Sequence, residues 1–366
     1  MVVLLVAITV ALTRSGGDDR PPAEPSAAEP SPAERLGLGG LAGQRLIAGW
    51  DGASPPRGLR RLIRSGGLAG VILFDDNIAS GRRARRTIEE LQAIKRPDGL
   101  GDPLLVMVDQ EGGQVKRLPG PPEASAEVIG TRGQSYALEQ GGKTARSIGG
   151  VGFNVDLAPV LDVARPGSAI KRENRAFGDQ SGQVIAAGVN GFGAGLQSRG
   201  VAATAKHFPG LGAAETNTDL ASQRITLSKD ELRSADEQPF EAFSRRGGEL
   251  VMLSLATYPA FADRPAAFSK KIVTGELRGR LGFEGVTITD GLGAAAAQEF
   301  GPRGEVALAA IGAGNDLLLY TDWRAARRTA ALLRKRLLAG RLSRADFEPS
   351  VERVLELRAR LAPGSG

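Results

Sequence analysis

The chain has no cysteine and a single histidine, and only three tyrosines and two tryptophans among its 366 residues. Without cysteine there can be no disulfide, no thiolate nucleophile, no Cys-ligated zinc and no N-terminal lipoprotein acylation. One imidazole excludes a His-rich metal site and makes His207 the only side chain of its kind. Neither a metal nor an organic cofactor is expected. A dense basic block is also missing: the formal charge is +6 and the isoelectric point near 9.8, but the basic residues are scattered along helical segments. That scatter argues against nucleic acid as a partner and leaves a long-range attraction to anionic surfaces.

An apolar run of membrane-spanning length is absent too. Residues 1–13 are nearly all apolar, yet a helix that crosses a bilayer needs roughly 20 such residues. The run has the length of a signal-peptide core, without a basic flank or a small-residue cleavage site. Residues 1–14 are therefore expected to be a hydrophobic leader or membrane tether. Residues 15–35, rich in Pro, Ala, Ser and Glu, cannot bury a core and are expected to be a disordered spacer. Together they describe an extracytoplasmic protein, secreted or membrane-anchored, with a frayed cytosolic extension as the alternative. Oligomerisation leaves no trace in the sequence, and a monomer is expected.

With 42% hydrophobic residues the remainder can bury a large core. Residues 36–362 are expected to form one domain. Eight apolar, strand-like runs recur along it, at 45–49, 69–74, 103–109, 153–159, 201–207, 250–255, 285–290 and 316–320. Helical patterns separate them, for example at 81–94, 180–198, 229–246, 269–281 and 325–338, and a last helix at 344–361 is placed beneath or beside the sheet. Alternating β and α elements predict a parallel sheet, and eight repeats predict a closed (β/α)8 TIM-type barrel. A doubly wound open sheet would need a glycine-rich phosphate turn, and Gly112-Gly113 lacks the required spacing.

Polar residues cluster where the predicted strands end, the face of such a barrel that carries chemistry. Strand three ends in Asp109-Gln110-Glu111-Gly112-Gly113 with Arg117 just beyond. Strand four runs Asn154-Val155-Asp156 through Asp162, and its loop holds Asn174 and Arg175. Strand five ends in Lys206-His207 before Pro209-Gly210, and strand seven in Thr289-Asp290. Taken singly, Asp109 could be a helix cap, Arg175 a surface ion pair, and Asp290 a turn former. Their convergence on one barrel mouth points to a ligand. Carboxylates that accept beside Arg and Lys that donate suit vicinal hydroxyls, and an anionic ligand would also fit Arg117, Arg175 and Lys206.

The motifs Val108-Asp109-Gln110-Glu111-Gly112-Gly113, Leu157-Ala158-Pro159-Val160-Leu161-Asp162, Arg175-Ala176-Phe177-Gly178, Lys206-His207-Phe208-Pro209-Gly210 and Gly285-Val286-Thr287-Ile288-Thr289-Asp290 resemble the barrel domain of glycoside hydrolase family 3. The resemblance is nearest to its single-domain bacterial β-N-acetylhexosaminidases. It implies a cofactor-free enzyme that cleaves β-linked N-acetylglucosamine, from peptidoglycan fragments or chitin-type oligosaccharides, with retained configuration. Carried over position by position, Asp290 resembles the nucleophile, and Asp109, Arg117, Arg175, Lys206 and His207 resemble the residues that hold the non-reducing-end sugar.

The chain departs from the family on one loop. Hexosaminidases of the family carry an Asp-Ser-His sequence there, whose histidine is the acid/base. Here Asn217 stands for the aspartate and Asp219 for the histidine. Asp219 is thus the expected acid/base, with Glu215 on the same loop as the other candidate. A carboxyl can do this work if burial or a neighbouring carboxylate raises its pKa. On strand six, Leu253-Ser254-Leu255 lacks a histidine common among relatives, which leaves a β-glucosidase as an alternative to the amino-sugar enzyme. A noncatalytic binder of cell-wall glycans is the alternative from another class.

Overall fold

The computed structural model describes residues 29–362, so the expected leader and most of the expected spacer lie outside the described residues. All eight predicted runs form strands: β1 (Leu46–Ala48), β2 (Gly70–Ile72), β3 (Leu105–Val108), β4 (Val155–Asp156), β5 (Ala202–Phe208), β6 (Leu250–Leu253), β7 (Val286–Thr289) and β8 (Leu318–Tyr320). They pair in parallel in the order β7-β6-β5-β4-β3-β2-β1-β8. The two ends meet through an Ile288–Leu317 bridge, with the Thr289 N–H donating to the Leu317 carbonyl at 3.0 Å and Leu292 N–H to Leu319 at 2.9 Å. This is the expected closed barrel.

Alternation along the strands decides which side chains fill its interior. Ile47, Leu105, Met107, Val155, Ala202, Leu250, Met252, Val286, Ile288, Leu317 and Leu319 form one buried cluster inside the barrel. A second, larger cluster lies between the strands and the surrounding helices. Helix Arg344–Arg360 sends Val354 and Leu357 into the interior cluster, so it plugs the barrel from beneath. At this lower end the buried Asp316 joins the seam: it accepts from Thr287 N–H at 2.8 Å and pairs with Arg278 and Arg353 at 2.5 and 2.8 Å.

The lower rim also takes up residues just before the expected domain start. Ala33 is fully buried, its N–H donates to Glu352, and Arg344 donates to the carbonyls of Ala33, Glu34 and Leu36. With core contacts and the plug below, the polar strand ends all face the opposite rim.

Candidate active site

At that rim the strands leave a cavity of about 390 Å³. Asp109, Arg117, Arg175, Lys206, His207, Asp219 and Asp290 all line it. Glu215 does not; it lies in an adjoining groove, where its backbone carbonyl accepts from Arg172 at 2.6 Å. Ile72, Phe74, Leu157, Met252 and Leu319 form the apolar floor and wall.

One side of the cavity is a network of buried ion pairs. The Lys206 ammonium, 2% exposed, lies 2.7 Å from Asp109 Oδ1 and 2.6 Å from Glu111 Oε1. Arg175 grips both oxygens of Glu111 in a fork, at 2.8 and 2.9 Å, and reaches Glu173 at 3.2 Å. Arg117 contacts Asp75 at 3.0 Å and Asp109 at 4.0 Å. Burial works against charge on Glu111, but Arg175 and Lys206 outweigh it and hold its carboxyl well below the ordinary glutamate range. By the same reciprocity, Asp109 and Glu111 overcome burial and keep Lys206 protonated above the usual lysine range.

His207 is seated by Asp162. Oδ1 of Asp162 accepts the backbone N–H groups of His207 and Leu211 at 3.0 and 2.7 Å, and Oδ2 lies 2.8 Å from His207 Nδ1. The ring nitrogen facing Asp162 is therefore the one that carries a proton, which leaves Nε2 for the cavity. Below the network, Asp156 Oδ1 accepts the Gln110 N–H at 3.0 Å while Oδ2 is buried without a partner. Burial pushes this carboxyl up to about 8, with the charges of Asp109 and Glu111 adding to it and Lys206 opposing. The Gln110 side chain ties down the hairpin that bears Arg117: it accepts from Arg117 and Leu118 N–H and donates to Leu118 and Pro121 carbonyls, each at 3.0 Å.

The other side of the cavity is built differently. Asp219 lies exposed at the rim and Asp290 half-buried below it, and neither forms an ion pair among the described residues. Asp290 Oδ1 accepts the Gly291 N–H at 2.7 Å. Asn217 Oδ1 accepts the Asp219 N–H at 2.9 Å, so Asn217 serves as a turn former here. The base of this loop is tight: a Cβ on Gly212 would lie 1.9 Å from the Val163 carbonyl. Partial desolvation and the facing Asp290 charge raise the Asp219 pKa, against the pull of His207 and Arg175.

Sequence reasoning missed Glu111 and Asp162 as members of the site, and Glu173, Asp75 and Gln110 as its supports. For Glu111 the signal was available: it stands two residues from Asp109, which in an extended segment puts both side chains on one face.

The glycosyl hydrolase family 3 N-terminal domain model matches residues 45–357. An uncharacterized secreted glycosyl hydrolase of Arthroderma benhamiae is 38% identical over 92% of this chain and 97% of its own length. A beta-hexosaminidase of Alkalilimnicola ehrlichii is 34% identical over 76% of this chain and 80% of its own. The solved β-N-acetylhexosaminidase of Beutenbergia cavernae superposes with a TM-score of 0.81 at 30% identity, covering 88% of this chain and 99% of that one. A family 3 beta-N-acetylglucosaminidase from Paenibacillus sp. gives 0.83 at 31% identity over 89% of this chain, which spans only 63% of that protein. Family model, relatives and barrel agree, and the chain belongs to glycosyl hydrolase family 3 as a (β/α)8-barrel glycoside hydrolase.

Proposed function

We propose that this chain is a retaining, exo-acting β-N-acetylhexosaminidase that releases N-acetylglucosamine from peptidoglycan-derived or chitin-like oligosaccharides. Asp290 is the nucleophile and Asp219 the acid/base. The observation that carries this reading is that these two carboxylates, alone in the cavity lining, lack a cationic partner while standing in each other's field. In the first step an Asp290 oxygen bonds to the anomeric carbon as the glycosidic C–O bond breaks, and Asp219 gives its proton to the departing oxygen. In the second, water gives a proton to Asp219 and its oxygen to the anomeric carbon, which frees Asp290.

Charge favours a neutral sugar over an anionic ligand. Arg117, Arg175 and Lys206 are each paired with carboxylates, and Asp219 and Asp290 add further negative charge. Phosphate would be repelled by the same field, which supports hydrolysis over phosphorolysis. Donors held by carboxylates suit the hydroxyls of a terminal sugar, and Asp109, Arg117, Arg175, Lys206 and His207 are assigned to that grip. An extracytoplasmic location is supported by the apolar N-terminal run and by the description of the Arthroderma relative as secreted. Among the described residues no helix is long and apolar enough to cross a membrane.

One observation favours a β-glucosidase as the second reading. Just past β6, Ser254 is fully buried with its hydroxyl accepting the Ala256 N–H, so that wall presents Met252 to the cavity in place of a polar group. Chromogenic β-N-acetylglucosaminide and β-glucoside, assayed side by side, separate the two. Trapping with a 5-fluoro glycosyl fluoride should add one sugar to the peptide that contains Asp290. A parent protein with no turnover and no labelling would instead be a glycan binder.

A further inference from the structure

Asp219 is on the loop that leaves β5; its own N–H is held within the loop by Asn217, but the carbonyls of Thr218 and Asp219 are held by the segment that leaves β7. The Ala295 N–H donates to the Asp219 carbonyl at 3.2 Å, and the Ala296 N–H to the Thr218 carbonyl at 3.3 Å. The Ser222 hydroxyl donates to the Glu299 carboxylate. All three ties end on helix Ala295–Phe300, which starts five residues beyond Asp290. Amides at the start of a helix have no partner within it, so these two are free to serve the loop.

We infer that Ala295 and Ala296 are positioning residues, whose backbone amides hold the Asp219 loop so that proton donor and nucleophile are both set by the one segment that follows β7. The inference rests on Asp219 being the acid/base. Its physical basis is that proton transfer demands hydrogen-bond reach, and a displacement of about 1 Å costs on the order of 10²-fold in rate. The sugar grip is independent of these ties, because Lys206, Arg175 and His207 are anchored by Glu111, Asp109 and Asp162.

Ala295→Pro tests it by deleting one N–H. Proline is well tolerated at the first helical position, and Ala294, at φ −59° and ψ 151°, already has the extended backbone that precedes a proline. Activity is read as kcat/KM on two aryl glycosides of the preferred sugar, one with a poor phenol leaving group and one with dinitrophenol, which leaves without a proton. The expected result is a loss of roughly 10- to 100-fold on the poor leaving group. On dinitrophenol the change stays within about threefold, since no proton transfer is at stake. The alkaline limb of the pH profile on the poor leaving group should move to lower pH, because Asp219 leaves the Asp290 field. Ala295→Ser, which keeps the amide, should behave as the parent.

Equal loss on both substrates, or no loss on either, overturns the inference. Asp219→Asn separates this from the parent reading: if it shows no leaving-group dependence, the acid/base assignment fails, whereas dependence in Asp219→Asn but not in Ala295→Pro defeats the positioning role alone. Should Ala295→Pro not fold, the double variant Ser222→Ala with Glu299→Gln loosens the same strap through side chains. It should give a several-fold loss with the same leaving-group pattern, and its absence overturns the inference.

Discussion

The two sides of the cavity are held by different forces. On the ion-paired side Arg117, Arg175, Lys206 and His207 each lie against a carboxylate, and Lys206, His207, Glu111 and Asp162 are almost fully buried. On the opposite side Asp219 and Asp290 form no ion pair among the described residues, and the Asp219 loop is fixed by backbone bonds and an Asn217 turn. Paired charges in low dielectric cannot easily change protonation or position, which suits groups that must present fixed donors and acceptors. Burial and the charge of Asp290 raise the Asp219 pKa, which suits a group that must exchange a proton.

The sharpest way to break this contrast is Asp290→Ala. Turnover should fall by at least about 10⁴-fold while sugar affinity, measured by calorimetry, stays within a fewfold, because the grip is elsewhere. Asp219→Asn comes next, with a loss of ~10²–10⁴ in kcat/KM on poor leaving groups. Because the Asp219 pKa is raised, the parent enzyme should keep its protonated acid, and hence its activity, to higher pH than an ordinary aspartate allows. Activity profiles that fall off at the usual carboxylate pKa would contradict this.

On the ion-paired side the largest effects should be on stability. Glu111→Gln leaves Arg175 and Lys206 short of a buried counter-charge and should cost ~3–5 kcal/mol in denaturant unfolding. The Glu111 pKa is lowered on folding, so its contribution is complete above the ordinary glutamate value of 4.5 and drains away as pH falls below it. The parent should therefore lose stability on acidification through that range more steeply than Glu111→Gln does.

Asp156→Asn should act in the opposite direction, with an effect that is smallest near pH 4 and grows with pH. With a pKa raised from 3.8 to about 8, Asp156 takes up a proton on folding, so its presence lowers stability progressively as pH rises between those values. Asparagine keeps the acceptor for Gln110 and carries no charge. The variant should match the parent near pH 4 and melt at higher temperature above it, with the gap growing until about pH 8.

The barrel was legible in the sequence because strands buried on both faces must be short apolar runs, and eight of them alternated with helices. Their ends were less legible: β4 spans only Val155–Asp156, although Ala158, Pro159 and Leu161 still exchange backbone hydrogen bonds with Thr204 and Lys206 of β5. Seven of the residues predicted for the site line one cavity because all stand at strand C-termini or on the loops that follow them. Glu215 could not be separated from Asp219 by sequence, as the choice depends on which way a loop turns.

What the sequence determined by itself was the periodicity, the sign and kind of side chain at each strand end, and the presence of Asp219 on the loop after the fifth strand. These are local properties, written in spacing and chemistry. Only the tertiary structure decided that Glu111 binds Lys206 and Arg175 together, that Asp162 seats His207, and that the β7 segment holds the β5 loop. Each of those contacts joins residues far apart in the chain, and no local pattern encodes which distant partner a charge or an amide meets once the barrel closes.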